Sequence, residues 1–317
     1  TVVLLMLSGC TENKSSNSID TDDCSMLNSN IEIVEKISPN DLGLDNNTIE
    51  QASIIDDNLI VIGVYESGTG EKDNTFLYKM GSKEARVLSE NSFGISFAHT
   101  NINNILILTS WEKNIEYRFT KNSANKKPFN KKRRIIDNIF LEHNGKGYML
   151  TKGKETLFRD AENYASYLIP TKYFTIDNKE MLFMYVSNNI GSNSNRELIR
   201  LKNNGSYSII NKNIRDFTKI GKYLLCLDSF PPPDVPHITQ EEAYEEYSIN
   251  VYDLDGKLIK NLDKELYDKY GMLAFPDSIS VNSSGYGVMS GSFVFNYGKE
   301  GEYDFRGLII FKLVESK

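Results

Sequence analysis

The chain is poor in the residues from which most enzyme sites are built. Among its 317 residues there are three His, three Cys and one Trp. His99 and His143 fall near the first hairpin turn of neighbouring units and His237 in a long insertion on the opposite face, which speaks against a three-histidine metal site, and ordinary surface histidines are the expectation. There is no Gly-x-Ser-x-Gly elbow and no His-Glu-x-x-His pair. Gly68-Thr69-Gly70-Glu71-Lys72 lacks the spacing of a phosphate-binding loop and lies between two strand-like segments, where such a loop needs a following helix. Asp253-Leu254-Asp255-Gly256 is too short for a calcium loop, which needs further carboxylates and a later Glu, so it reads as a turn. No metal and no cofactor is expected. The single Trp111 argues against repeats with a recurring aromatic box. Basic excess is missing too: 36 Lys and Arg stand against 43 Asp and Glu, a net charge of −7. That excludes a broad electrostatic footprint for nucleic acid. Sustained helical periodicity is nearly absent, residues 240–246 being the best exception.

Long apolar runs are scarce as well, and none approaches the roughly 18 residues of a membrane span. The run Val2-Val3-Leu4-Leu5-Met6-Leu7 is short, and Leu7-Ser8-Gly9-Cys10 follows from it. This looks like the end of a bacterial lipoprotein signal peptide, with Cys10 as the lipidated residue. The alternative is a buried apolar strand. On the first reading residues 1–9 are a truncated signal remnant and residues 10–30 a lipidated Cys and polar, flexible tether. Residues 31–317 form the folded domain. Of the other cysteines, Cys24 lies in the tether and Cys226 in a strand-like apolar run. A buried thiol at Cys226 is preferred to a disulfide between them.

From Ile31 onward one pattern recurs. A polar or glycine-containing turn precedes a short aliphatic run at residues 56–63, 101–108, 143–150, 177–184, 219–226 and 282–289. Most are about 35–45 residues apart, a spacing typical of propellers and solenoids. The runs are rich in Ile, Leu, Val, Tyr and Phe, which favour strands. Downstream segments bring each unit to about four strands, the content of one propeller blade. The sixth unit is short by one strand, its third reading at residues 308–313. An orphan strand, residues 31–37, stands at the other end of the chain. The expected fold is all-β, a six-bladed β-propeller closed by the N-terminal strand. A seven-bladed ring, an open sandwich pair or a two-domain β fold are the alternatives.

The Leu7–Cys10 motif, the tether, the six repeats and the hairpin Val251-Tyr252-Asp253-Leu254-Asp255-Gly256-Lys257-Leu258-Ile259 together resemble the TolB-like six-bladed propeller lipoproteins of bacterial envelopes. The resemblance implies a lipid-anchored domain in the cell envelope, with the outer membrane slightly favoured over the inner. It carries over no catalytic residue.

The expected function is a non-catalytic binding module, not an enzyme, with a protein or small ligand as partner and no nucleic acid. An immunity lipoprotein against an envelope toxin is the alternative, and a hydrolase with a motif-free site on the propeller top is the third reading. The candidate binding face is taken from loops joining second to third strands, since loops tolerate insertion and carry function. It comprises Trp111, then Phe230, Pro231, His237, Tyr244 and Tyr247 of a proline-containing insertion, then Phe293, Phe295 and Tyr297. Aromatic side chains are the usual anchors of such surfaces. The basic run from Lys126 to Arg134 is read as a connection between units two and three.

Overall fold

A computed structural model describes residues 29–44, 47–56, 59–66, 73–82, 85–89, 95–100, 105–110, 115–120, 123–128, 132–143, 148–159, 173–187, 195–212, 214–229 and 247–315. Among these the chain is almost entirely β. An N-terminal strand, β1 (Ser29–Ile37), comes first. The first complete sheet holds β2 (Asn47–Asp56), β3 (Leu59–Glu66), β4 (Asp73–Lys79) and β5 (Ala85–Ser89). The second holds β6 (Ile95–Thr100), β7 (Ile105–Ser110), β8 (Ile115–Thr120) and β9 (Ser123–Pro128). The third holds β10 (Lys132–Ile136), β11 (Ile139–His143), β12 (Tyr148–Lys152) and β13 (Glu155–Arg159). The fourth holds β14 (Tyr173–Ile176), β15 (Glu180–Ser187), β16 (Asn195–Lys202) and β17 (Tyr207–Lys212). The fifth holds β18 (Ile214–Ile220), β19 (Tyr223–Ser229), β20 (Tyr247–Asp253) and β21 (Leu258–Asn261). The last holds β22 (Leu273–Val281), β23 (Tyr286–Phe295) and β24 (Tyr303–Glu315), with β1 as its fourth strand.

Every pairing is antiparallel and follows chain order, except that β1 pairs with β24, Ile31 opposite Leu313 and Ile37 opposite Leu308. The orphan strand therefore completes the last sheet, as its sequence suggests. Turn chemistry explains the local hairpins. Asp177 and Asn178 both take positive φ, 48° and 55°, between β14 and β15, a geometry that Asp and Asn tolerate. At the β20–β21 hairpin, Asp253 Oδ1 accepts the N–H groups of Asp255 and Lys257. Gly256 there has φ 86°, and a Cβ on it would lie 2.6 Å from the Ile210 carbonyl.

Apolar side chains fill the spaces between neighbouring sheets. Ile139, Leu150, Met181 and Phe183 join the third sheet to the fourth. Phe174, Leu198, Phe217 and Cys226 join the fourth to the fifth, Cys226 being fully buried. Leu225, Val251, Met289 and Ile309 join the fifth to the last. Ile54, Ile60, Val288 and Ile310 join the last to the first. Sheets stacked face to face in this order are the architecture of a β-propeller.

The first strands of these sheets stand side by side. Ser278 Oγ on β22 accepts the N–H of Ala52 on β2 at 3.0 Å, and Ser280 Oγ accepts that of Ile54 at 3.3 Å. The innermost edge of the first sheet thus finds hydrogen-bond acceptors on its neighbour, as buried backbone donors must.

Two expectations need correction. The run at residues 143–150, expected with downstream segments to make up its unit, instead contains β12, the third strand of its sheet, because residues 139–143 before it already pair as β11. The basic run does pass from the second sheet to the third, but it is largely strand: Lys126 and Lys127 lie in β9 and Lys132 to Arg134 in β10. One helix, α1 (Asp263–Tyr270), was not anticipated. It has a single buried apolar residue, Leu266, and its N-terminal N–H groups at Asp263 and Lys264 donate to Asn261 Oδ1.

Candidate functional site

The innermost strands carry matching irregularities. On β18, Ile214 faces Asp228 and Asp216 faces Leu227, so Arg215 is an extra residue, a β-bulge. On β22, Pro276 faces Gly291 and Ser278 faces Ser290, which makes Asp277 extra in the same way. On β2, Glu50 occupies the corresponding backbone position between Ile49 and Gln51. Bulges re-aim side chains and gather next to functional sites. Here the extra residues of β18 and β22 meet: the Arg215 guanidinium pairs with the Asp277 carboxylate, their side chains 31% and 33% exposed. They are neither sealed in the core nor loose on the surface.

Asp216, next to the bulge, is buried, and its Oδ2 accepts the N–H of Ile279 at 2.7 Å. Arg196, near the start of β16, reaches the same place. Its Nη1 donates to the carbonyl of Arg215 at 3.3 Å. Burial lowers the Arg196 pKa most, the Arg215 charge lowers it further, and Asp216 partly offsets both. Two guanidinium and two carboxylate groups from three sheets therefore meet where β16 and β18 begin and β19 ends.

Behind them lies a polar network. Asp228, at the end of β19, accepts hydrogen bonds from Asn250 Nδ2 at 2.6 Å, Asn211 Nδ2 at 2.9 Å and the Tyr252 hydroxyl. Burial raises the Tyr252 pKa, and the bond to Asp228 and its charge raise it further, so the phenol stays protonated. Asn261 links Asn250 to Ser248 and Asp263. This network holds β19, β20 and β21 in register, with its donors used on one another.

The aromatic face expected from the sequence is placed differently. Phe293 and Phe295 are not in a loop. They belong to β23, are 1% and 6% exposed, and pack on Phe305 and Tyr303. Ten residues of β23 pair with β24, so the strand runs past where the aromatic stretch was taken to leave the sheet. Core rings cannot anchor a partner. Tyr297 is half-buried, its N–H donating to the Gly271 carbonyl. Tyr247 opens β20 opposite Ser229. Trp111, Phe230, Pro231, His237 and Tyr244 lie outside the described residues, as do Cys10 and Cys24. Among the described residues no group of three or more His, Cys, Asp and Glu could hold a metal ion. Among them, too, no helix is long and apolar enough to cross a membrane.

Neither the aliphatic runs nor the loops mark the bulge site. The signal lies one strand earlier: Arg215-Asp216-Phe217-Thr218, Asp277-Ser278-Ile279-Ser280 and Glu50-Gln51-Ala52-Ser53 share one order of charged, polar, apolar and hydroxyl residues.

No protein-family model and no curated protein matches the chain. Solved structures do. A gluconolactonase from Xanthomonas campestris matches with TM-score 0.35 and 12% identity over 70% of this chain and 86% of that one. A puromycin-hydrolysing peptidase from Mycobacterium tuberculosis matches with TM-score 0.43 and 8% identity over 87% of this chain and 56% of that one. The Swd1 β-propeller domain from Myceliophteria thermophila matches with TM-score 0.41 and 9% identity over 90% of this chain and 99% of that one. The expectation of a non-catalytic binding module, with an immunity lipoprotein as its alternative, is corrected here. The solved structures that match include a gluconolactonase and peptidases. At such low identity they carry no activity over to it.

Proposed function

We propose that this protein is a hydrolase whose site is the bulged mouth formed by Arg215 and Asp277. The observation that carries the reading is the pairing of two bulge residues from neighbouring innermost strands, both partly exposed. A carboxylate beside a fixed guanidinium suits hydrolysis at an ester or amide carbonyl. Asp277 takes a proton from water as the water oxygen adds to the carbonyl carbon. Arg215 opposes the negative charge that builds on the carbonyl oxygen. Collapse breaks the bond to the leaving oxygen or nitrogen, which receives the proton back from Asp277.

The six four-stranded sheets are read as six blades of one ring, which β1 closes by joining β24. With the resemblance to TolB-like lipoproteins, this supports a propeller held by lipid at Cys10 in a bacterial envelope. Cys10→Ser is expected to move the full-length protein from the membrane to the soluble fraction; persistence on membranes in high salt would refute the anchor.

The hydrolytic reading is tested with a panel of esters, lactones and peptide anilides. Hydrolysis of at least one is expected, with a rate about 10²-fold or more lower in Asp277→Asn. No turnover across the panel, or unchanged turnover in Asp277→Asn, would overturn it.

A further inference from the structure

Arg196 is not needed for that chemistry, yet it is brought to the site at a cost. Its strand, β16, belongs to the fourth sheet, while Arg215 and Asp277 belong to the fifth and last. Its side chain crosses to the start of β18 and spends one N–H on the Arg215 carbonyl. A guanidinium has five N–H donors in a planar fork that matches a carboxylate or phosphate. Among the described residues no carboxylate lies at ion-pair distance from Arg196. Asp216 acts on it only through its charge, and an Asp216 oxygen is engaged by the Ile279 N–H. Arg215 is already paired with Asp277. A half-buried guanidinium next to a second one, with donors to spare, is a place where an incoming anion recovers what burial and repulsion cost.

We infer that the site selects molecules bearing an oxyanion, a carboxylate or a phosphate, which Arg196 binds beside the Arg215–Asp277 pair. The inference rests on the hydrolytic reading for the identity of the reaction, but anion binding is measurable without turnover.

The probes are succinate, inorganic phosphate and the uncharged succinamide, each titrated into the protein with Tm as the readout, since a ligand that binds the folded state raises Tm in a saturable way. Succinate, phosphate or both are expected to raise Tm, and the difference between them tells a carboxylate site from a phosphate site. Arg196→Gln is expected to weaken binding about tenfold or more, the usual scale for a lost charge-assisted hydrogen bond. Arg196→Lys keeps the charge but not the fork and is expected to fall between; it carries the comparison if the Gln variant does not fold. Arg200→Gln, on the same strand but bonded to Glu180 and Asp255, is expected to bind as the parent does. An equal Tm response to succinamide, or an undiminished response in both Arg196 variants, would overturn the inference. Anion binding without hydrolysis of any panel member would remove the hydrolytic reading and leave this site standing. Hydrolysis indifferent to substrate charge and to Arg196 would do the reverse.

Discussion

Asp216 Oδ2 accepts the backbone N–H of Ile279 at 2.7 Å, and that bond joins the innermost strands of two different sheets. Two residues on, Thr218 Oγ1 accepts the N–H of Val281 at 3.3 Å. One sheet further round, Ser278 and Ser280 repeat the arrangement on Ala52 and Ile54. A first strand has one edge facing its own sheet and one facing the neighbour. These side chains supply on the second edge what a ladder supplies on the first, and they fix how far one sheet slides past the next. The bulged Arg215 and Asp277 sit one residue before Asp216 and Ser278, so the same register brings them together.

Ser278→Ala is accordingly expected to be destabilising. It removes the acceptor of the Ala52 N–H and the 2.7 Å contact with the Ser290 hydroxyl, all in buried surroundings. The expected loss is about 1–3 kcal/mol, read by urea denaturation. A variant within 0.5 kcal/mol of the parent, roughly the scatter of ordinary surface changes, would show that the inter-sheet bond adds little.

The N-terminal strand is held from both sides. Its inner edge pairs with β24, and its outer edge is covered by α1: Tyr270 accepts the Ile33 N–H and bonds the Ile31 carbonyl, while Lys269 donates to the same carbonyl and Glu265 accepts the Ile31 N–H. Covering an edge in this way suppresses pairing between molecules. Tyr270→Phe is expected to cost about 1–2 kcal/mol. A chain starting at Pro39 leaves β24 as the edge strand, and aggregation is the expected outcome by light scattering. A monomer with unchanged Tm would show that β1 is dispensable.

Gly287 lies directly under the Phe311 ring across the β23–β24 pair, where a Cβ would come within 2.2 Å of ring carbon. Phe311 is fully buried and cannot swing outward. Gly287→Ala is expected to lose at least about 1–3 kcal/mol through overpacking, and a second change, Phe311→Leu, to recover part of it. Equal stability of Gly287→Ala and the parent in chemical denaturation would count against this packing.

Asp263 provides a pH signature. Burial raises its pKa, although hydrogen bonds from the Ile249 N–H, the Ser248 hydroxyl and Asn261 pull it down. A carboxyl with a raised folded-state pKa holds its proton longer in the folded protein than in the unfolded chain. Its contribution to stability therefore declines as pH rises from the unfolded value through the folded one. Asp263→Asn keeps an acceptor and has no charge to bury. It is expected to be at least as stable as the parent at pH 7, with the advantage shrinking as pH falls through the raised folded-state pKa and gone below the unfolded carboxylate value. An advantage that grows on acidification would contradict the sign of the shift.

Several elements are legible from local sequence because their cause is local. The Asp177-Asn178 and Asp255-Gly256 turns are set by residues that tolerate positive φ, and the aliphatic runs by β-branched and aromatic side chains that suit a buried sheet. The third sheet misleads because residues 139–143 and 148–152 are two similar short strands, and composition alone does not say which comes second. Helix α1 leaves no periodic trace, since only Leu266 is buried and Glu265, Lys269 and Tyr270 bond a strand more than two hundred residues away in sequence.

By itself, then, the sequence determined the β class, the repeating unit and the spare strand at the N-terminus, because these follow from side-chain propensity, turn chemistry and spacing along the chain. The tertiary structure alone decided the burial of Phe293 and Phe295 and the meeting of Arg196, Arg215, Asp216 and Asp277. Those depend on strand register and on which sheet packs against which, and register is settled by contacts between residues distant in sequence: the bulges at Arg215 and Asp277 turn two side chains toward each other only once β18 and β22 lie side by side.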